Sequence, residues 1–144
     1  MSDQQELEKI ISEINLYKNQ AETLQQQIDA IQGSLTEIEI LEATIEDITK
    51  KDSFETLVPV GAGAFMNAKI DKTNEVIMSI GAGVAVSKTI EEAKTTVEEQ
   101  KNELNNTLNK LLDNLQKISQ IVSQLSPKAE ELMAKVQGIP QGQF

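Results

Sequence analysis

The sequence contains no cysteine, histidine, arginine or tryptophan. Without cysteine and histidine it lacks the usual ligands of zinc, haem and iron–sulfur sites, and the nucleophile–base pairs of most hydrolases. No disulfide can form, so cysteine usage indicates no particular redox compartment. Only an oxygen-ligated cation stays open, and no acidic run has the spacing of a calcium loop. We therefore expect no catalytic site, no cofactor and no metal.

Basic charge is also scarce, because 23 acidic residues face only 13 lysines and the net charge is −10. A nucleic-acid partner is disfavoured, since phosphate backbones bind basic surfaces. No stretch approaches 18 apolar residues, so we expect no membrane-spanning helix and no membrane partner. The polar, acidic N-terminus does not resemble a signal peptide. These features predict a cytoplasmic protein.

Charge and glycine divide the chain into parts. Residues 1–52 carry a net charge of −8, residues 53–89 are neutral, and residues 90–144 carry −2. Four of the seven glycines lie in the neutral middle segment. We predict an N-terminal helix within 1–52, a β segment at 53–88, a second helix at 89–137, and a flexible tail at 138–144.

Both outer segments repeat apolar residues with a mean spacing of 3.5. Eleven of thirteen heptad positions in residues 7–49 are apolar, and twelve of fourteen in residues 90–136. Such regularity over six heptads indicates a coiled coil. The polar exceptions are Glu42, Thr49, Lys94 and Lys101. Near the end of the first helix, a stripe through Leu41 instead of Glu42 predicts a local phase slip.

Capping patterns mark the helix ends. Asp3 with Glu6, and Thr89 with Glu92, have the spacing of a capping box. Gly138 is expected to end the second helix.

The two helices should have nearly equal length, about 65 Å each at the usual helical rise. The simplest arrangement folds the chain back on itself as an antiparallel coiled coil. Leu7 would then lie near Val136, and Ile48 near Ile90. A parallel homodimer of extended helices is the alternative.

The middle segment contains an internal repeat, LVPVGAGAF at 57–65 and IMSIGAGVA at 77–85. The glycines of each Gly-Ala-Gly supply the positive φ of a tight hairpin turn, and these are Gly61, Gly63, Gly81 and Gly83. Neither copy matches a nucleotide-binding loop. We predict two β-hairpins, with Val60 opposite Ala64, Val58 opposite Met66, Ile80 opposite Val84 and Met78 opposite Val86.

Two hairpins cannot close a stable core alone, and their apolar faces and unpaired edges attract other strands. A coiled coil that leaves in one direction should not cover them. We therefore predict that the hairpins assemble with those of other chains into an oligomeric hub. The apolar residues expected there are Val58, Val60, Phe65, Met66, Val76, Met78, Ile80, Val84 and Val86.

These hairpins, the following VSKTIEEA at 86–93 and the flanking heptad helices together resemble the α-type subunits of the prefoldin family, over essentially the whole chain. The resemblance implies an α+β, mostly α fold, in which a long antiparallel coiled coil carries two β-hairpins that join an oligomeric β-barrel hub. It implies a hexamer of two α and four β subunits. It also implies an ATP-independent chaperone that holds non-native proteins at the coiled-coil ends and delivers them to a group II chaperonin.

Apolar side chains near the free helix ends and in the tail are the candidates for client binding. They are Leu7, Ile10, Ile11, Ile14, Leu132, Met133, Val136, Ile139 and Phe144. The alternative is that the helical ones are the last turns of the seam and that the tail is disordered. A structural spacer that binds no client therefore stays open, whereas a membrane tether would require an anchor or a basic face.

Overall fold

The computed structural model describes residues 2–72 and 74–138. Helix α1 (Asp3–Thr49) is followed by strands β1 (Ser53–Gly61), β2 (Ala64–Asp71), β3 (Glu75–Gly81) and β4 (Val84–Thr89), and then by helix α2 (Ile90–Gln137). The predicted mostly helical fold, with two long helices flanking two hairpins, is confirmed. Ile139 and Phe144 of the predicted site lie outside the described residues.

The cap of the first helix lies one residue earlier than predicted, at Ser2. The Ser2 hydroxyl accepts a hydrogen bond from the Gln5 backbone N–H at 3.3 Å, and the Gln5 side-chain oxygen accepts one from the Ser2 N–H at 3.2 Å. This reciprocal capping box replaces the predicted pair of Asp3 and Glu6, because a serine hydroxyl with a glutamine three residues later satisfies the same two donors.

The second helix has the predicted ends. The Glu92 backbone N–H donates to the Thr89 hydroxyl at 3.1 Å. Gly138 has a φ of 70°, the left-handed conformation that ends many helices. The helix continues through Pro127 without interruption.

Each hairpin is an antiparallel two-stranded sheet, β1 with β2 and β3 with β4. The predicted pairs Val58–Met66 and Met78–Val86 are confirmed. The predicted pairs at the turns are wrong, because Gly61 and not Val60 lies opposite Ala64, and the second hairpin has the same shift, with Gly81 and not Ile80 opposite Val84. A two-residue turn leaves one extra residue on the first strand, which forms a bulge.

Both turns place an alanine in the left-handed region, Ala62 with a φ of 47° and Ala82 with 53°. That conformation costs an L-residue with a Cβ roughly 1–2 kcal/mol, whereas asparagine tolerates it better.

We expect Ala62→Asn with Ala82→Asn to raise the free energy of unfolding in denaturant by about 0.5–1 kcal/mol. The control Ala64→Asn, on the exposed strand after the turn, should give no gain. An equal gain from the control would contradict this explanation.

The described chain forms two compact units. In the first, described residues 2–33 with 105–138, a buried cluster joins the start of α1 to the end of α2 through Leu7, Ile14, Ala129 and Leu132. The two helical segments of this unit are therefore antiparallel. Val136, the predicted neighbour of Leu7, is not part of the cluster and is 40% exposed.

The second unit, residues 34–104, joins the end of α1 to the start of α2. Its buried cluster consists of Ile45, Ile90, Ala93 and Val97, with Ile48 packed against it. The predicted proximity of Ile48 and Ile90 is confirmed. The predicted phase slip is wrong at Leu41, which is exposed while Glu42 keeps the half-buried seam position. It is confirmed at Ile48, which packs against the cluster in place of exposed Thr49.

The second hairpin packs against the helices of its own chain. Val76 and Met78 on β3 contact the buried cluster of the second unit. The expectation that the coiled coil leaves the hairpin faces uncovered is therefore wrong for this strand. The reason is local: α2 begins directly after β4, and the Ile90 N–H donates to the Asn74 carbonyl at 2.9 Å, which holds the start of β3 beside the start of α2.

Candidate functional site

Exposed apolar side chains are concentrated on the two hairpins. Of the fifteen large apolar side chains that the described residues expose, nine lie there. We call this set the hairpin surface, and its members are Leu57, Val58, Val60, Phe65, Met66, Ile70, Ile77, Ile80 and Val84. Monomeric proteins seldom expose large contiguous apolar patches, so such a concentration indicates an interaction surface.

Most residues predicted for the hub lie on this surface. Six of the nine are exposed, and they are Val58, Val60, Phe65, Met66, Ile80 and Val84. The other three, Val76, Met78 and Val86, are half-buried. For Val76 and Met78 the cover is the helical core of the same chain. Whether any of these residues contacts another subunit stays a prediction.

The sequence-based prediction missed three residues of the hairpin surface, Leu57, Ile70 and Ile77. Among the described residues, Ile77 has the most exposed large apolar side chain, at 78%. Leu57 and Ile77 lie on the face opposite the predicted one, because neighbouring strand residues point to opposite sides. The internal repeat contained a usable signal, since Leu57 and Ile77 begin the two copies at equivalent positions.

The strand edges are a second feature of the same region. Each of the two sheets contains only two of the described strands, so each strand leaves one edge without a backbone partner from these strands. Such an edge is a template for strand addition. The hairpins therefore offer both apolar side chains and free backbone groups for association.

The predicted client-binding residues separate into two groups. Leu7, Ile14 and Leu132 are buried in the first unit, with Ile10 and Met133 half-buried against them. Ile11 and Val136 are exposed, at 38% and 40%. We call Ile11 and Val136 the terminal apolar residues. The buried group has the packing of a helix seam, and the exposed pair offers the apolar surface that a client could contact.

The composition disfavoured both a metal site and a membrane-spanning helix. Across residues 2–72 and 74–138, no three carboxylate, cysteine or histidine side chains are grouped to hold a metal ion. Within the same ranges, neither helix combines the length and apolar character needed to cross a membrane.

Two long helices, antiparallel in the first unit and connected in sequence by two exposed β-hairpins, define a class of coiled-coil protein. A family model described as "Prefoldin subunit" matches residues 17–135. The chain therefore belongs to the prefoldin family.

Relatives of known name agree with this. The chain is 44% identical over 96 residues to "Prefoldin subunit alpha" of Methanobrevibacter smithii, across 67% of this chain and 66% of that protein. It is 36% identical over 90 residues to the protein of the same name from Pyrococcus horikoshii, across 61% of each. These alignments thus span about two thirds or less of the relatives' own length.

A solved structure shares the fold. A chain from "Cryo-EM structure of filamentous PFD from Methanocaldococcus jannaschii" matches with a TM-score of 0.55 and 25% sequence identity. The match covers 85% of this chain and 96% of that one. The resemblance inferred from the hairpin repeat and the heptads is therefore confirmed at the level of the family and its α-type members.

Proposed function

We propose that the chain is the α-type subunit of an oligomeric chaperone that holds non-native proteins without using ATP. The observation that carries this proposal is the hairpin surface. Its nine exposed large apolar side chains lie in the segment that connects the two long helices in sequence. Membership of the prefoldin family supports the same function.

Assembly is assigned to the hairpins. Burial of the hairpin surface and pairing of the free strand edges would stabilise contacts between subunits. The partners that the family resemblance implies are β-type prefoldin subunits, in a hexamer of two α and four β chains with a β-barrel hub.

Client binding is assigned to the terminal apolar residues, Ile11 and Val136. Their exposed surface would be buried against apolar segments of an unfolded chain. Half-buried Met133, in the cluster of Leu132, adds a flexible side chain that adapts to varied partners. Delivery of the bound client to a group II chaperonin in the cytoplasm completes the proposal.

A structural spacer is the second candidate. It is favoured by the burial of Leu7, Ile14 and Leu132, which leaves few apolar residues exposed near the helix termini. A spacer needs the seam and the hairpins but not the terminal apolar residues.

Light scattering of a denatured protein as it aggregates separates the two functions. The chain assembled with β-type subunits should suppress aggregation equally with and without ATP. Aggregation that the assembled complex leaves unchanged would support the spacer and contradict the chaperone.

A further inference from the structure

Two ion pairs join the helices of the second unit. They contain three of the four polar residues at heptad positions, together with Glu46. Lys101 Nζ lies 3.1 Å from Glu42 Oε1, and Lys94 Nζ lies 3.0 Å from Glu46 Oε1. We call these four residues the polar layer. Each pair joins one residue of α1 to one of α2, and all four belong to residues 34–104.

We propose that the polar layer determines which helices pair and in which register. This role goes beyond the proposed chaperone function, because it concerns how the coiled coil selects its partner. Polar residues at core positions of coiled coils set register and orientation at some cost in stability.

The two ion pairs would be lost if identical helices of two chains paired in parallel. If α1 paired with α1 of a second copy in parallel, Glu42 would lie opposite Glu42. Parallel pairing of α2 would place Lys101 opposite Lys101. Of these three arrangements, only antiparallel pairing of α1 with α2 brings opposite charges together, and this selects against the parallel homodimer that the heptads alone allow.

The register is also specified. A slide of one heptad that brings Glu42 opposite Lys94 would place Lys101 opposite Leu35, which is buried. A slide in the other direction moves Lys101 to the position of Lys94 beside Glu46, but it places Glu42 opposite uncharged Leu108. Of these three registers, only the observed one places both Glu42 and Lys101 beside an opposite charge.

The pair of Lys101 and Glu42 is half-buried, with side chains 34% and 40% exposed, and this partial desolvation makes a mismatch unfavourable. The carboxylate oxygen Glu42 Oε1 is shielded from solvent, and its contact with Lys101 lacks hydrogen-bond geometry, so the interaction is an ion pair only. A partly desolvated carboxylate without an opposite charge is disfavoured, although less than a fully buried one. The polar layer therefore acts more by penalising wrong partners than by strengthening the right one.

Glu46 provides a second line of support. It lies in the last turn of α1, where the helix dipole disfavours a carboxylate. Its hydrogen bond to Lys94 and the charge of Lys94 lower the pKa of the Glu46 carboxyl below the ordinary value, with Lys50 adding to the effect. The local helix does not explain an acid there, whereas the pairing with Lys94 does.

Charge reversal tests the proposal with two full-length chains, one carrying Glu42→Lys and Glu46→Lys, the other Lys94→Glu and Lys101→Glu. Each variant has like charges across its own seam, but the two are complementary to each other. The two chains satisfy these charges if they exchange helices, so that α1 of each packs against α2 of the other. We expect native mass spectrometry after joint refolding of differently tagged chains to show roughly a tenfold excess of such mixed pairs over the statistical mixture given by tagged parent chains. A distribution equal to that of the parent chains would overturn the proposal.

Three further chains complete the design. The chain with all four reversals should regain the thermal midpoint that each double variant loses, and a midpoint as low as that of the doubles would also overturn the proposal. The controls Glu37→Lys with Glu39→Lys, and Lys110→Glu with Lys117→Glu, reverse exposed charges outside the layer. Their mixture should follow the parent distribution, and a tenfold excess there would assign the effect to net charge instead.

Discussion

Glutamate in place of both Val58 and Met66 should prevent the chain from joining its partner subunits while both helices remain helical. The two residues form a cross-strand pair and are 43% and 62% exposed, so the free chain has room for the new carboxylates. In the assembly those carboxylates would be buried without a partner, at a cost of several kcal/mol each, on the order of the values for unpaired buried ions. Association should weaken by more than about a hundredfold.

Native mass spectrometry with β-type subunits measures the assembly, and circular dichroism measures the helices. The matched control is Leu16→Glu with Leu112→Glu, since these leucines have similar exposure, 55% and 42%, but lie outside the hairpins. The control should assemble normally. Intact assembly of the Val58 and Met66 variant would contradict the assignment of subunit contacts to the hairpin surface.

Met78 shows why the structure changes the choice of residue for this experiment. The hairpin pattern predicted Met78 for the hub as strongly as Val58, because both lie on an apolar strand face. The structure places Met78 against the core of Ile45, Ile90, Ala93 and Val97. A charge there would disturb the helical pair of the same chain, so a loss of assembly could not be assigned to subunit contacts.

Local patterns predicted the elements and their pairing. Heptads gave the helices, and Gly-Ala-Gly gave two hairpins with the pair Val58–Met66 in the observed register. These features depend on residues close in sequence, whose geometry the backbone restricts. The turn bulge was missed because a symmetric fold about Ala62 ignores the twist that favours two-residue turns with positive φ.

Packing between elements could not be predicted in the same way. The contact of β3 with the helices depends on the short connection from β4 to α2, and no local pattern contains it. Similarly, Glu42 and Lys101 were visible only as interruptions of two separate heptad series. Their pairing at 3.1 Å follows only when the antiparallel register is known.

Serine in place of Ile11 and Val136 should reduce the capture of unfolded proteins while assembly is unchanged. Full burial of such side chains contributes about 1.5–3 kcal/mol, and these two are about 40% exposed, so each contributes roughly 0.5–1 kcal/mol to a contact. Several subunits can contact one client, and the losses multiply through effective concentration. We expect the apparent affinity for a denatured client to fall at least about tenfold.

Substitution is a sharper test than truncation of both chain ends. A deletion of residues 1–8 with 134–144 would remove buried Leu7 and Ala134, and a loss of capture could then reflect damage to the first unit. Ile11 and Val136 are exposed, so serine there should leave the cluster of Leu7, Ile14, Ala129 and Leu132 intact. The thermal midpoint of the helical signal checks this directly.

The matched control for capture is Leu16→Ser with Leu112→Ser, which removes comparable exposed apolar surface at other positions along the helices. The control complex should suppress aggregation as well as the parent, and capture by the parent should depend only weakly on salt, because screening acts on charges. Undiminished suppression by an intact Ile11 and Val136 variant would place the client surface elsewhere on the chain. Equal losses in the variant and the control would mean that clients bind exposed apolar side chains along the helices generally, with no preference for the termini.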